Sequence, residues 1–172
     1  MAGRKNEQVV VDCNVFVGGQ GKLGVAINMK PPNIEFTTLE SEASSAGKVN
    51  YVYGAIENLE AEFTIAEHDR SIYKELVKLN DAEFIFKESV SQGALGDNKL
   101  VEWVLRGHIT HIEESEIKRG EKKALVVKMG SCWYYKKTIN NSVVFEVDKK
   151  NGICKPDGKT DILEQSRNQV KG

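Results

Sequence analysis

The sequence predicts a mostly β fold: an antiparallel β-sandwich or barrel with one flanking helix and a long inter-strand arm. Three observations carry that expectation. Apolar and polar residues alternate over most of the chain, the period of strands with one buried face. Short turn signals separate these segments, as in antiparallel sheets rather than βαβ units. One stretch near the middle has an apolar face at helical spacing behind a capping residue. The 172 residues make one domain, 1–172, able to bury roughly 70% of the surface of the unfolded chain.

The elements follow in order. Residues 1–8 are polar and expected to be flexible. Val9 to Val17 reads as a strand with Val9, Val11, Cys13, Val15 and Val17 on one face, and Asp12 and Asn14 on the other. Gly18-Gly19 breaks it, and a strand at Gly24 to Met29 is expected to close a hairpin. Pro31-Pro32 stops that strand, because proline lacks the donor and restricts the residue before it. Ile34 to Leu39 is the next strand. Residues 40–53 form the arm: Glu40 to Lys48 is rich in Ser, Ala and Glu, whereas Val49 to Tyr53 is apolar and β-prone.

Ile56 to Ile65 alternates, with Leu59, Ala61, Phe63 and Ile65 inward and Glu60, Glu62 and Thr64 outward. Asp69 is the expected N-cap of a helix to Leu79, whose apolar face is Ile72, Leu76 and Leu79. Ala82 to Val90 is a strand, and Ser91 to Asn98 a loop. Leu100 to Ile112 points Val101, Trp103, Leu105 and Ile109 inward. Ala124 to Ile139 does the same with Leu125, Val127, Met129, Trp133, Tyr135 and Ile139. Asn140-Asn141 turns the chain into Ser142 to Asp148, and Asn151-Gly152 turns it again. Residues 161–170 form a short C-terminal helix, with Asp161 as cap and Glu164 three residues on.

Composition narrows the function classes. Twenty-four basic residues nearly cancel twenty-five acidic ones. A nucleic-acid or anionic-membrane partner selects a basic excess, which is missing. No apolar run approaches the roughly 18 residues of a membrane helix, so no membrane anchor is expected. The three cysteines, Cys13, Cys132 and Cys154, form no C-x-x-C pair and read as reduced structural thiols of a cytoplasmic environment.

Motifs with chemical meaning fail on context. Gly19-Gln20-Gly21-Lys22-Leu23-Gly24 matches a dinucleotide fingerprint, but Pro31-Pro32 leaves no room for the helix that would hold a pyrophosphate. His108 and His111 fall on opposite faces of a regular strand, so no metal is expected. The charged run from Glu113 to Lys123 reads as a solvated connection. No catalytic constellation and no cofactor follow from these residues. Trp103, Trp133 and Tyr135 share apolar faces and read as core rather than as a stacking platform.

Two features remain as candidate sites. The arm residues Glu40, Glu42, Lys48, Val49, Tyr51, Val52 and Tyr53 are candidates for a subunit interface, since an exposed apolar arm needs a cover. Glu60 and Glu62 give one strand an acidic outer face. A small-ligand-binding β-barrel is the alternative.

The ordered set of segments resembles the major tail tube proteins of contractile-tailed phages and R-type bacteriocins. Asn14-Val15-Phe16-Val17 with Leu23-Gly24 is similar to the opening strand pair, and Pro31-Pro32 to the proline step. Glu57-Asn58-Leu59-Glu60-Ala61-Glu62-Phe63-Thr64 is the segment nearest the family pattern. Arg106-Gly107-His108-Ile109, Lys118-Arg119-Gly120-Glu121, Tyr134-Tyr135-Lys136 and Phe145-Glu146-Val147-Asp148 follow at suitable distances. The arm departs from the family's glycine-rich form. The resemblance implies a phage tail tube fold and homohexameric rings stacked inside a sheath. Its implied partners are further copies, the sheath, baseplate and tail-terminator proteins, and DNA passing through without specific binding. It also implies a place in the virion, after assembly in the host cytoplasm. Glu60 and Glu62 are the candidates for the lumen wall, because basic walls would hold phosphates.

Overall fold

Nine of the eleven strands join one antiparallel sheet in the computed structural model, which describes residues 7–44, 47–91 and 98–171. The elements are β1 (Val9–Val17), β2 (Gln20–Gly21), β3 (Ala26–Lys30), β4 (Phe36–Ser44), β5 (Gly47–Ile56), β6 (Ala61–Ile65), α1 (Arg70–Val77), β7 (Ala82–Ser91), β8 (Asn98–Glu114), β9 (Leu125–Ile139), β10 (Ser142–Asp148), β11 (Ile153–Lys155) and α2 (Glu164–Lys171). The main order is β11-β10-β9-β8-β7-β1-β2, and β3-β6 branches from β9. Strands β4 and β5 form a separate two-stranded sheet. Part of the expected flexible N-terminus, 1–6, and most of the expected loop, 92–97, lie outside the described residues.

Bulges fold the large sheet onto itself. On the side away from β8, β9 serves two neighbours: Leu125 to Met129 pairs with β6, and Tyr134 to Ile139 with β10. Between these halves the β8–β9 register skips Trp133 and Gly130 on β9 and Thr110 on β8. Each extra residue bends the ladder and increases its twist. The result is visible at Phe63 of β6, three strands from β7 along the sheet. Its ring lies 4.9 Å from Phe84 and 5.8 Å from Phe86, both on β7.

The core between the folded halves is the alternating set of the sequence. Val15, Val17, Leu59, Phe63, Ile65, Phe84, Phe86, Leu105, Val127 and Met129 are essentially inaccessible. Burying one such side chain contributes roughly 1.5–3 kcal/mol relative to exposure.

α1 begins as expected. The Asp69 side chain accepts from the Ser71 N–H at 2.8 Å and from the Ser71 hydroxyl. Lys22 pairs with Asp69 at 2.8 Å and Glu67 at 3.1 Å, tying the turn after β2 to the start of the helix. Asn140 and Asn141 both adopt positive φ, as a tight hairpin turn with matching twist requires.

Several expectations are corrected. Val9 and Val11 are exposed, because the β1–β7 register skips Val11 and ends the inward alternation there. The hairpin partner of β1 is the short β2; the strand after Gly24 starts at Ala26 and pairs with β6 instead. Ile56 ends β5, and β6 begins only at Ala61. Thr64 is buried rather than outward, flanked by Asn28 of β3 and Val126 of β9. α1 ends at Val77, so Leu79 leaves the helical stripe with φ of 51° and is exposed; Glu75, not Leu79, is buried there. Trp133 is a bulge residue and only half-buried, and Cys132 takes the buried position beside it. Its indole N–H donates to Asn80 O at 2.9 Å, and Lys150 sits 3.7 Å over its ring.

Candidate assembly surfaces

The arm is a β-hairpin. β4 pairs with β5 over Thr38 to Ser41 opposite Val52 to Val49, and with no other strand among the described residues. Cross-strand partners share a face. The pairs Leu39–Tyr51 and Ser41–Val49 therefore define one face, and Thr38–Val52 and Glu40–Asn50 the other. Lys48 pairs with Glu40 at 2.6 Å and Glu42 at 3.8 Å, so its charge is engaged within the arm and offsets part of the negative charge of the two carboxylates. All of these groups are well exposed, and exposed pairs stabilise by only about 0–1 kcal/mol. Of the seven arm candidates, Val49 and Tyr51 lie on the apolar face, with Glu40, Glu42, Lys48 and Val52 on the mixed one. Tyr53 stands at the bulge where the arm meets the body. Leu39 was missed as an arm residue: it is 53% exposed opposite Tyr51, and alternation across a hairpin was the signal.

Among the described residues, several backbone edges are open. On its β7 side, β8 has no strand partner beyond Gly107, so His108 to Glu114 present an unpaired edge among the described residues. β3 pairs only with β6. The hairpin leaves the outer edges of β4 and β5 free. The long sheet itself ends on β2 and β11, of two and three residues; β2 covers only Phe16 and Val17, so Val9 to Asn14 of β1 have no strand partner on that side among the described residues.

Glu60 and Glu62 lie on the outer side of β6 and its approach. Glu60 accepts from Asn58 Nδ2 at 3.1 Å. Glu62 pairs with Lys128 at 3.3 Å, and its backbone lies between Lys30 and Lys128 on the neighbouring strands. These residues line a groove of about 190 Å³ with Thr110 and Gly130. The two carboxylates and two ammonium groups make this face close to neutral.

Residues 7–170 match the model of the family described as phage tail tube protein FII. The chain belongs to the phage tail tube family. It is 28% identical over 163 residues to the tail tube protein of Escherichia phage P2, covering 91% of this chain and 93% of that one. The fold is similar to the sheath/tube terminator of PVC, an extracellular contractile injection system, with a TM-score of 0.57, 9% identity and coverage of 76% and 95%. It is also similar to the tube terminating cap of the anti-feeding prophage, with a TM-score of 0.54, 12% identity and coverage of 74% and 87%. As a tail tube family member the chain is a structural component of a phage tail, not an enzyme.

The residues with chemical potential have structural work in this tube-family fold. Gly19, at positive φ, turns β1 into β2, Gly21 lies within β2, and Gly24, also at positive φ, lies in the turn before β3; Lys22 is held by Asp69 and Glu67. The bulge at Thr110 shifts the strand's parity, so His108 and His111 do not alternate as a regular strand would make them. Cys132 and Cys154 are buried and Cys13 half-buried, all free; burial pushes the Cys132 thiol up to about 12. Tyr134 is engaged: its hydroxyl donates to Glu146 at 3.1 Å, and Arg106 lies 5.6 Å over its ring. Phe63, Phe84, Phe86, Leu105 and Tyr135 fill the interior where a ligand-binding barrel would hold its cavity. A surface groove of about 310 Å³ lies between α1 and β8.

Proposed function

We propose that copies of this chain close into homohexameric rings, which stack into the inner tube of a contractile tail or related injection particle. The sheath surrounds the tube, and baseplate and tail-terminator proteins bound it. The lumen passes DNA without specific binding, or the tube breaches an envelope. Assembly takes place in the host cytoplasm and ends in the virion. The observation that carries this reading is the β4–β5 arm. A lone two-stranded hairpin is at best marginally stable in water, and this one exposes Leu39, Val49, Tyr51, Val52 and Tyr53. A neighbouring subunit that covers it removes both problems. The free edges of β3 and β8 support the reading further: a head-to-tail contact that closes makes a ring, and it hides edges that would otherwise template aggregation.

The test is electron microscopy of the purified protein. Rings or tubes are expected. Val49→Asp and Tyr51→Asp, on the apolar face of the arm, are expected to abolish them while the unfolding free energy moves by less than about 0.5 kcal/mol, as for surface substitutions. Glu40→Gln on the opposite face should leave rings in place. Apolar-face variants that still assemble would sink the arm's role. A chain that stays monomeric at high concentration with sheath and baseplate components present would sink the tube reading.

A further inference from the structure

We propose that Tyr53-Gly54-Ala55 is a swivel on which the β4–β5 arm turns as one body, and that Ile162 and Leu163 are the stop that sets its angle. The role of that motion in assembly rests on the tube reading; the swivel itself does not.

The register of the hairpin breaks at its root. Phe36 lies opposite Ile56, but Thr38 lies opposite Val52. Between these pairs a single residue of β4, Thr37, stands opposite three of β5: Tyr53, Gly54 and Ala55. Gly54 has φ of 76°, which L side chains rarely adopt, in the middle of an otherwise extended strand. The chain below this point is fixed to the body. Phe36 and Ile56 pack on the core and Lys149 donates to Glu57 O at 2.7 Å, while Glu57 N–H donates to Glu35 O and the Thr37 hydroxyl to Glu57, each at 2.9 Å, closing the two stems on each other. Above it, the strand pairing is between β4 and β5 alone, and the ion pairs of Lys48 stay within the arm. An internally bonded unit joined through a single register break is the geometry of a hinge.

The C-terminal segment lies against that hinge. A Cβ built on Gly54 would meet Leu163 Cδ2 at 3.3 Å and Ile162 Cδ1 at 3.4 Å. The segment is anchored independently of the arm. Ile162 N–H donates to Cys154 O at 2.9 Å, Asp161 pairs with Arg167 at 2.8 Å, and Arg167 donates to Gly152 O at 2.7 Å. Beside the contact, a cavity of about 190 Å³ lined by Gly54, Ile56, Val147, Ile153, Cys154 and Leu163 leaves space for the root to shift. The glycine, the register break, the stop and the space meet at one place.

The experiment is a distance measurement between spin labels on the free subunit at low concentration. Labels go at Glu42→Cys in the arm and Lys136→Cys on β9, with Cys13→Ser; the buried Cys132 and Cys154 stay unlabelled. The Ile162→Ala/Leu163→Ala pair is expected to broaden the distance distribution about twofold, and Ile162→Ala alone to broaden it in the same direction with the fold intact. Gly54→Val cannot hold the positive φ and is expected to shift the mean distance. Distributions unchanged in all three variants overturn the swivel; a shift in Gly54→Val with no broadening in the other two overturns the stop. A wild-type protein that never forms rings would remove the tube reading and leave this result standing.

Discussion

A methyl group at Gly107 has nowhere to go. A Cβ there would overlap the carbonyl oxygen of Ser131 and come within 2.8 Å of Cys132 Cα, because the bulge at Trp133 draws β9 against β8. The obstacle is backbone, so no rotamer change relieves it. Gly107→Ala is expected to destabilise the fold by about 3 kcal/mol, read as a lower urea midpoint at unchanged slope. An unchanged midpoint would show that β9 yields easily. This constraint was not legible in the sequence, where Gly107 stood only as part of a family-like segment. The same blindness misplaced Trp133. Alternation assigned correct faces on either side of it, at Met129 and Tyr135, but a bulge adds one residue without any local signal in the pattern. Val11 was misplaced for the same reason. Parity is legible; the places where it resets are not.

At the scale of elements, α1 shows what short-range chemistry does determine. The Asp69 cap was legible because capping needs only one side chain and the following backbone N–H groups. Its second partner was not, since Lys22 comes from a distant turn. Burial pushes the Asp69 carboxyl up, but Lys22 and Ser71 outweigh it and hold it below the ordinary 3.8. Lys22 is pushed down by burial and raised more strongly by Asp69 and Glu67, above 10.5. The sign follows. Stability from the depressed aspartate is present above its unfolded value and lost as pH falls through the folded one; that from the raised lysine is lost only as pH rises through its folded value. Asp69→Asn keeps the cap and loses the ion pair. It is expected to cost about 2 kcal/mol at neutral pH, and that difference should close as both proteins are titrated to pH values below the ordinary carboxylate range. A gap that persists in acid would assign the loss to packing. The arm was legible in part. Its apolar half, Val49 to Tyr53, read as strand, while the Ser, Ala and Glu of residues 40–44 concealed the strand opposite. Those residues have weak intrinsic strand preference, and pairing with β5 overrides it.

For the whole molecule, charge is the lever on function. With Glu60 and Glu62 on the lumen wall of the proposed tube, Lys30 and Lys128 beside them make the local field weak rather than acidic. Glu60→Lys with Glu62→Lys would turn that patch basic and hold phosphates by counterion release. Rings are expected to form normally and DNA ejection from assembled particles to slow, with the deficit shrinking as salt is raised. Ejection at the wild-type rate at low salt would take these residues off the wall. The acids were found from alternation on one strand; their lysine neighbours come from β3 and β9, and only the register reveals them. In the same way, the order of family-like segments was legible along the chain, but the folding of one sheet upon itself was not.

That single sheet also bears on how a subunit would carry force. β8 and β9 run beside each other from Val101 to Glu114, their ladder resuming after each bulge at the fold line. A pull along those strands must break the ladder in shear, with many hydrogen bonds loaded together. Among the described residues the arm's strands pair only with each other, and at its root the pairing of Phe36 with Ile56 is the last before the register break. Tension between neighbouring subunits through the arm would therefore fall first on that root, bending the joint while the body of the subunit keeps its shape.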